Sequence, residues 1–316
     1  MNLKGTLTAV PTRIAAGNIH QGSQSPDCLS STFAGLKPPL IVLGMHRSGT
    51  SMVVGMLQLL GVYLDPDLMP GGQSELIPGD RARTDGYGEA VAFRLANEAV
   101  MRRAGSDWQH VDRFLSVRDR PNFASASVRQ LVAASNSSLK TGFLDRYPGG
   151  SPAEWGWKDP RNSLTLPYWL TIFPQARLLH VRRDTQAVVN SLMRRTAESA
   201  EAAHNAGPSR VERLRNAAAN PAIIVSSLRR RLGLSKPVGP MTADDWRRLA
   251  DLYVGECVRY REHAPGYLEV SYESILNEPA ALAERISLFA GIDVTAARMR
   301  DAAAFVDRKP KPNIST

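Results

Sequence analysis

Short apolar runs alternate with longer stretches of helical periodicity along this chain. The runs 40–43, 177–182 and 267–272 are typical of buried strands, and Trp155 and Trp157 alternate as in a fourth, shorter strand. Apolar positions at helical spacing predict helices at about 50–60, 89–103, 124–137, 164–173, 185–195 and 279–290, with a further helix that begins after Thr242. Because strands alternate with helices, we expect an α/β fold in which helices flank a central parallel sheet.

The helix at 89–103 has one apolar face, which we expect to be buried: Val91, Leu95, Ala99 and Val100. The helix that begins after Thr242 carries Asp245 at its third position, the spacing of a capping box.

Two stretches interrupt this pattern. Residues 1–37 are rich in glycine, serine, threonine, glutamine and proline without lasting periodicity, so we expect a flexible N-terminal tail. The remainder, 38–316, is expected to form a single domain with a variable helical insert at about 196–240. An alternative for the three consecutive arginines at 229–231 of this insert is that they guide an acidic acceptor.

The composition is that of a basic globular protein. The 316 residues carry a net charge of +9, which favours anionic partners such as a nucleotide, a nucleic acid or an acidic surface. Cys28 and Cys257 form no metal-binding or disulfide pattern. The sequence contains neither the ~18 consecutive apolar residues of a membrane-spanning helix nor the apolar core of a secretion signal. We therefore expect a cytoplasmic protein without an integral membrane segment.

A glycine-rich loop joins the first predicted strand to the helix at 50–60. Gly44 and Gly49 follow the spacing of the phosphate-binding pattern G-x-x-x-x-G-K-[ST], except that Thr50 occupies the lysine position. The cation of this loop is instead Arg47, which precedes the second glycine. A strand, a glycine loop and a helix start together direct backbone N–H groups at an anion, so we expect a P-loop-like, three-layer domain.

The loop is suited to hold an oxyanion with the amides of residues 48–51 and the hydroxyls of Thr50 and Ser51. The alternative is an ordinary helix start, in which Ser48 or Thr50 caps the first N–H groups. Without the loop lysine, the chain is poorly equipped as an ATPase or GTPase.

Cationic side chains also follow two other predicted strands. Lys158, Asp159 and Arg161 come after the short strand at 155–157, at the edge of the sheet where ligands bind in open α/β folds. The alternative for this group is a structural cluster of surface charges. Arg183 and Ser191 are about two helical turns apart, and they face one side only if the turn folds back, as in a nucleotide 3′-phosphate clamp.

These stretches together resemble the sulfotransferases that use 3′-phosphoadenosine 5′-phosphosulfate (PAPS), and bacterial sulfotransferase-family proteins in particular. GMHRSGTS (44–51) is similar to the family's 5′-phosphosulfate loop, and RRDTQAVVNS (182–191) is similar to its 3′-phosphate motif. WKDPR (157–161) and YLEVSYESILNEPAALAERISLFAGI (267–292) are similar to its K-D-P segment and its closing strand–helix segment. The resemblance implies PAPS as co-substrate, PAP as product and no metal.

The resemblance also implies roles for single residues. The residues implied for nucleotide binding lie in the loop and in the 3′-phosphate motif: Gly44, Arg47, Ser48, Gly49, Thr50, Ser51, Arg183 and Ser191. Arg47 is expected at the bridging and leaving-group oxygens, and Lys158 near the sulfuryl group or the acceptor. The first candidate for the general base is Glu89, the second is His46 and the third is Asp159. The alternative role for Glu89 is that of a charge partner at a helix start.

The implied function is transfer of the sulfuryl group from PAPS to an acceptor hydroxyl on a sugar, a glycolipid or a small metabolite, and the oligomeric state is left open. The nearest alternative is a P-loop kinase or NTPase, but its loop lysine is missing and the strand RLLHVRR ends in arginines that would repel Mg²⁺. The non-enzyme alternative is a basic nucleic-acid-binding module. Because no zinc, helix-turn-helix or aromatic-interleaved basic pattern supports it, we expect no nucleic-acid partner.

Overall fold

A parallel sheet forms the centre of the chain. The computed structural model describes residues 32–64, 89–148, 150–205 and 241–307. Within these ranges the sheet has four strands in the order β2-β1-β3-β4: β1 (Leu40–Leu43), β2 (Gly156–Lys158), β3 (Arg177–Arg182) and β4 (Gly266–Ser271). All three pairings are parallel. The predicted strands and their parallel arrangement are confirmed.

Helices connect and cover the strands. In chain order they are α1 (Thr50–Leu60), α2 (Val91–Arg103), α3 (Asp112–Arg118), α4 (Pro121–Ser135), α5 (Ser138–Gly142), α6 (Asn162–Ile172), α7 (Thr185–Asn205), α8 (Ala243–Val258), α9 (Tyr272–Asn277), α10 (Pro279–Ala290) and α11 (Ala296–Asp307), with a 3₁₀ turn at Leu144–Arg146. The predicted capping box of Thr242 and Asp245 starts α8. None of the helices in the described part of the chain has the length and apolar content that crossing a bilayer requires.

Two hydrophobic layers enclose the sheet. Ile41 and Leu43 belong to the layer that contains apolar residues of α2, α6 and α8, whereas Leu40 and Val42 belong to the layer that contains those of α1, α10 and α11. Each of these four β1 side chains is at most 1% exposed. Burial of such a side chain contributes ~1.5–3 kcal/mol, and burial on both faces explains why the strand is apolar throughout. The predicted three-layer α/β fold is confirmed.

The buried face of α2 differs from the predicted one. Of the four predicted residues only Val100 lies in the core, and Leu95 is 49% exposed. The core positions include Phe93 and Asn97 instead. Phe93 stacks on Trp157 of β2 with 4.2 Å between the ring centroids, and this contact sets the rotation of the helix about its axis.

Residues 32–37 are packed on the domain, although the sequence assigns them to a flexible tail. Phe33 is 8% exposed and stacks on Trp155 with 5.0 Å between the ring centroids. The rest of the predicted tail, 1–31, lies outside the described residues, as does 206–240 of the predicted insert.

The helical structure at 196–205 and 296–307 extends beyond the helices predicted from apolar periodicity, and the first of these stretches lies in the predicted helical insert. Helix α7 continues to Asn205, well past the predicted end at 195. Helix α11 packs closely on α1. A side chain at Gly55 would overlap the ring of Phe305, so the close approach requires glycine at this position. Both stretches lie in alanine-rich sequence whose apolar periodicity is weak.

His180 on β3 is fully buried beside β4. Its Nδ1 lies 2.7 Å from Tyr267 Oη and 3.4 Å from Glu269 Oε2. Burial lowers the pKa of His180 to about 4; the Glu269 carboxylate opposes this shift, while the charges of Arg182 and Arg261 add to it. The imidazole is therefore neutral at pH 7.

We predict that His180 makes the fold less stable in acid. Between the usual pKa of 6.5 and the folded value of about 4, the unfolded chain binds a proton at this residue that the folded chain does not. The free energy of unfolding therefore falls as the pH falls across this window, by up to ~3 kcal/mol. His180→Asn keeps a polar group beside Tyr267 and does not titrate, so its stability in urea should depend less on pH than that of the wild type. The exposed residue His263 supplies the control variant His263→Asn, and equal pH dependence in wild type and His180→Asn would contradict the prediction.

Candidate active site

The loop at 44–49 leaves β1 at the carboxyl edge of the sheet in a conformation that depends on glycine. Gly44 and Gly49 have φ angles of 140° and 91°, and a side chain at Gly49 would overlap the ring of Tyr272. Arg47, at φ 69°, is the one non-glycine residue with positive φ in the described part of the chain. This conformation costs ~1–2 kcal/mol, so the surrounding contacts must hold the loop in shape.

No side chain caps the start of α1. The N-cap residue is Gly49, and the hydroxyl of Ser48 donates to the carbonyl of Met45 at 2.7 Å instead. The alternative in which Ser48 or Thr50 caps the helix is therefore wrong. A helix start of this kind directs backbone N–H groups and the positive end of the helix dipole at the space beside the loop, which suits an anion.

Arg183 and Ser191 both contact Arg47. Arg183 Nη1 donates to the carbonyl of Arg47 at 3.1 Å, and Arg47 Nε donates to Ser191 Oγ at 2.9 Å. The guanidinium of Arg183 also lies 4.2 Å from the centroid of the Tyr272 ring. Its buried Nε has no hydrogen-bond partner among the described residues. The turn after β3 thus folds back, so that Arg183 and Ser191 reach the same side.

A second charged group lies at the end of β2 and is almost completely buried. Lys158 Nζ lies 3.4 Å from Glu89 Oε1, while Arg161 Nη1 lies 3.6 Å from Glu89 Oε2 and 2.8 Å from Asp159 Oδ1. These four residues are at most 6% exposed, so the alternative of a surface cluster is wrong. Burial raises the pKa of Glu89 and lowers that of Lys158, while the attraction between the two charges opposes both shifts.

His46 is buried and neutral. Its ring packs on Trp108 with 4.1 Å between the centroids, and its Nε2 has no hydrogen-bond partner among the described residues. Burial lowers the pKa of His46 well below its usual value of 6.5, and the positive charges of Arg161, Lys158 and Arg47 lower it further. His46 therefore lies within the electrostatic range of both the loop and the second charged group.

A family model described as Sulfotransferase family matches residues 38–221, which is more than half of the chain. The chain belongs to the sulfotransferase family. The prediction of a sulfotransferase enzyme is confirmed. Among curated proteins, no sequence matches this chain.

Solved sulfotransferase structures match this chain at low sequence identity. Sulfotransferase STF9 from Mycobacterium avium is 17% identical, with a TM-score of 0.50 over 91% of this chain and 71% of that chain. Sulfotransferase STF1 from Mycobacterium tuberculosis H37Rv is 16% identical, with a TM-score of 0.48 over 88% of this chain and 73% of that chain. The STF9 likeness supports the α/β fold described above.

Apart from His46, which is described above, the predicted site residues of the sulfotransferase fall into two groups. The first surrounds the start of α1 and consists of Gly44, Arg47, Ser48, Gly49, Thr50, Ser51, Arg183 and Ser191. The second consists of Glu89, Lys158 and Asp159, and it includes Arg161 as well. Glu89 precedes α2 by two residues, and the first turn of that helix contains no acidic side chain. Within the described ranges, no set of histidine, cysteine, aspartate and glutamate side chains is arranged as a metal site.

Asn97 of α2 supports the second group, and the sequence analysis missed it. Its Nδ2 donates to Asp159 Oδ2 and Asn162 Oδ1, each at 2.8 Å. Its Oδ1 accepts from Thr165 Oγ1 and Trp169 Nε1, also each at 2.8 Å. Every hydrogen-bonding position of the amide is thus used inside the core. The sequence signal that could have identified Asn97 as a buried polar residue is a single asparagine at helical spacing from apolar residues such as Phe93 and Val100.

Replacing Asn97 with alanine should lower the free energy of unfolding by at least ~3 kcal/mol. Its four partners are buried, and each polar group left unsatisfied costs ~1–3 kcal/mol. Urea unfolding followed by circular dichroism measures the loss. Asn122, exposed on α4, gives the matched control Asn122→Ala, which should change stability by less than ~0.5 kcal/mol. If Asn97→Ala lowers the free energy of unfolding as little as Asn122→Ala does, the hydrogen-bond network around Asn97 contributes little to stability.

Proposed function

We propose that this sulfotransferase transfers the sulfuryl group of PAPS to an acceptor hydroxyl on a sugar, a glycolipid or a small metabolite, and releases PAP. The bond between sulfur and the 5′-phosphate oxygen breaks, a bond between sulfur and the acceptor oxygen forms, and a general base takes the hydroxyl proton. The observation that carries the proposal is the contact of Arg47 with both Arg183 and Ser191. PAPS carries two anionic groups, and this contact brings two cationic segments together at one edge of the sheet.

Arg183 and Ser191 are the proposed ligands of the 3′-phosphate. The unpartnered Nε of Arg183 supports this role, because a phosphate oxygen would supply the acceptor that the buried donor lacks. The Tyr272 ring and the Arg47 carbonyl already hold the guanidinium, so little side-chain freedom would be lost on binding.

The loop is the proposed site of the 5′-phosphosulfate. The backbone amides at the start of α1, with the hydroxyls of Thr50 and Ser51, would bind the 5′-phosphate. Arg47 lies where the loop meets the 3′-phosphate residues, and we assign it the bridging and leaving-group oxygens. Negative charge develops on these oxygens in the transition state, where a fixed cation is most effective.

Glu89 is the proposed general base. Burial raises the pKa of its carboxyl group, which makes the carboxylate a stronger base than an exposed one. Lys158 and Arg161 lie 3.4 and 3.6 Å from its oxygens and hold it in place. Lys158 would also approach the sulfuryl group or the acceptor. His46 is the second candidate, because its neutral imidazole keeps a buried, unpartnered Nε2.

Titration calorimetry with PAP tests the donor site. The wild type should bind PAP, and Arg183→Ala should weaken binding by more than ~10-fold, or ~1.4 kcal/mol, because it removes a charge-assisted contact with the 3′-phosphate. Arg285 is exposed on α10, so the matched control Arg285→Ala should bind PAP as the wild type does. Binding of ATP with Mg²⁺ and not of PAP would overturn the proposal and favour the kinase alternative.

Glu89→Gln should lower the rate of sulfuryl transfer by at least ~100-fold and leave PAP binding unchanged, because the loss concerns proton removal and not donor binding. The wild-type rate should fall as the pH falls through the raised pKa of Glu89, since a protonated carboxyl cannot take the hydroxyl proton, and Glu89→Gln should lack this dependence. Labelled PAPS with a panel of methyl glycosides and phenols supplies the assay. If His46→Asn lowers the rate of sulfuryl transfer more than Glu89→Gln does, the general base would be His46 and not Glu89.

A further inference from the structure

A cavity of about 180 Å³ lies beside the second charged group. Its walls include four charged and two apolar side chains: Glu98, Met101, Arg102, Asp107, Trp108 and Arg161. The volume equals that of about six water molecules in the liquid, and it lies below the ~300 Å³ at which pockets for drug-sized ligands begin. The cavity therefore suits one small ring and not a fused, multi-ring ligand.

The cavity extends from an exposed rim to a buried floor. At the rim, the side chains of Arg102 and Asp107 are 63% and 57% exposed. Towards the floor, the side chains of Glu98 and Arg161 are 24% and 8% exposed. A ligand that enters from solvent thus meets Arg102 and Asp107 first and Arg161 last.

Arg161 joins the floor of the cavity to the proposed general base. Its Nη2 lies 3.1 Å from Glu98 Oε1, and its Nη1 lies 3.6 Å from Glu89 Oε2. Its Nε is buried and has no hydrogen-bond partner among the described residues. Leaving a buried donor unsatisfied is costly, and a ligand hydroxyl at the floor would supply the missing acceptor. One guanidinium group would then separate that hydroxyl from Glu89.

Trp108 gives the cavity a flat apolar wall that is held in place. Its ring packs against His46 and Trp246, with centroid separations of 4.1 and 5.8 Å. Its carbonyl accepts a hydrogen bond from Tyr253 Oη at 2.9 Å. Because ring and backbone are both fixed by these contacts, a ligand in the cavity can pack on the part of the half-buried indole that lines it, with little loss of entropy.

The remaining walls favour a ligand that is rich in hydroxyl groups. Glu98 Oε2 lies 3.7 Å from Arg102 Nη2, beyond hydrogen-bond distance, so this oxygen can accept a bond from a hydroxyl. Two carboxylates and two guanidinium groups offer acceptors and donors together. A ring of hydroxyls can pair with both, whereas an apolar aromatic ligand would displace water from these groups without replacing its hydrogen bonds.

We propose that this cavity is the acceptor subsite and that it takes a single pyranoside ring, with one apolar face on Trp108 and the reacting hydroxyl at Arg161. The proposal rests on the proposed function and narrows its acceptors to those that carry a terminal sugar. Because a guanidinium has no acceptor for a proton, the hydroxyl proton passes to Glu89 through one bridging water. The acceptor oxygen forms the new bond to sulfur as the bond between sulfur and the 5′-phosphate oxygen breaks.

Calorimetric titration of the full chain with methyl glucoside, methyl galactoside, methyl mannoside and phenol, each with and without PAP, tests this subsite. At least one glycoside should bind more tightly than phenol. Trp108→Ala should weaken glycoside binding by ~10-fold, because the stacking surface is lost. Arg102→Ala should weaken it by ~3- to 10-fold through loss of a hydrogen-bond donor, and it preserves the fold because this side chain is mostly exposed.

The matched control is again Arg285→Ala, which should bind glycoside as the wild type does, and PAP binding should be the same in all these variants. Phenol binding in preference to every glycoside, or wild-type glycoside affinity in both Trp108→Ala and Arg102→Ala, would overturn the subsite. Absence of glycoside binding in the wild type would overturn it as well. If the wild type does not bind PAP, the proposed donor site would be wrong. The glycoside titrations without PAP would still test the acceptor subsite.

Discussion

The candidate site depends on the register between β1 and β3. Leu43, the last residue of β1, pairs with His180, so the loop after β1 and the turn that carries Arg183 leave the sheet side by side. The approach is so close that a side chain at Gly44 would overlap the carbonyl of Val181. A shift of one residue would exchange the two hydrophobic layers in which the side chains of β1 pack and move the loop away from Arg183. The packing of the core thereby fixes the distance between the two segments proposed to bind the anionic groups.

The end of β2 places buried charged side chains at the same carboxyl edge of the sheet. Hydrogen bonds within the fold offset part of the free energy that burying these charges costs. Taking ions such as Lys158 and Glu89 out of water costs several kcal/mol each, which their attraction repays only when the remaining polar groups are hydrogen-bonded. Asp159 meets this condition through Asn97 and Arg161. Arg161 Nε does not meet it within the described residues. A donor left without a partner at a cavity wall lowers stability, and this cost is recovered when a ligand supplies the acceptor.

The features that could be predicted from the sequence are those that depend on neighbouring residues. Gly61 ends α1 in the left-handed conformation. The spacing of Arg183 and Ser191 allowed them to share one side on the condition that the turn before the helix folds back, which it does. The exposure of Leu95 could not be predicted, because the rotation of α2 is set by the contact of Phe93 with a residue distant in sequence. Apolar periodicity carries no information on such contacts when apolar residues lie on more than one side of a helix.

The contact of His46 with Trp108 likewise joins distant parts of the chain, and it links the proposed donor and acceptor subsites. Trp108 covers the imidazole among Lys158 and Arg161, so protonation would add a third positive charge in a medium of low dielectric constant. The histidine therefore stays neutral, and the negative charge in this part of the site remains on carboxylates such as Glu89. The same indole is the proposed platform for the acceptor. An acceptor that packs on Trp108 would help to hold the indole over His46, so acceptor binding would help to keep a competing positive charge away from the transferring group.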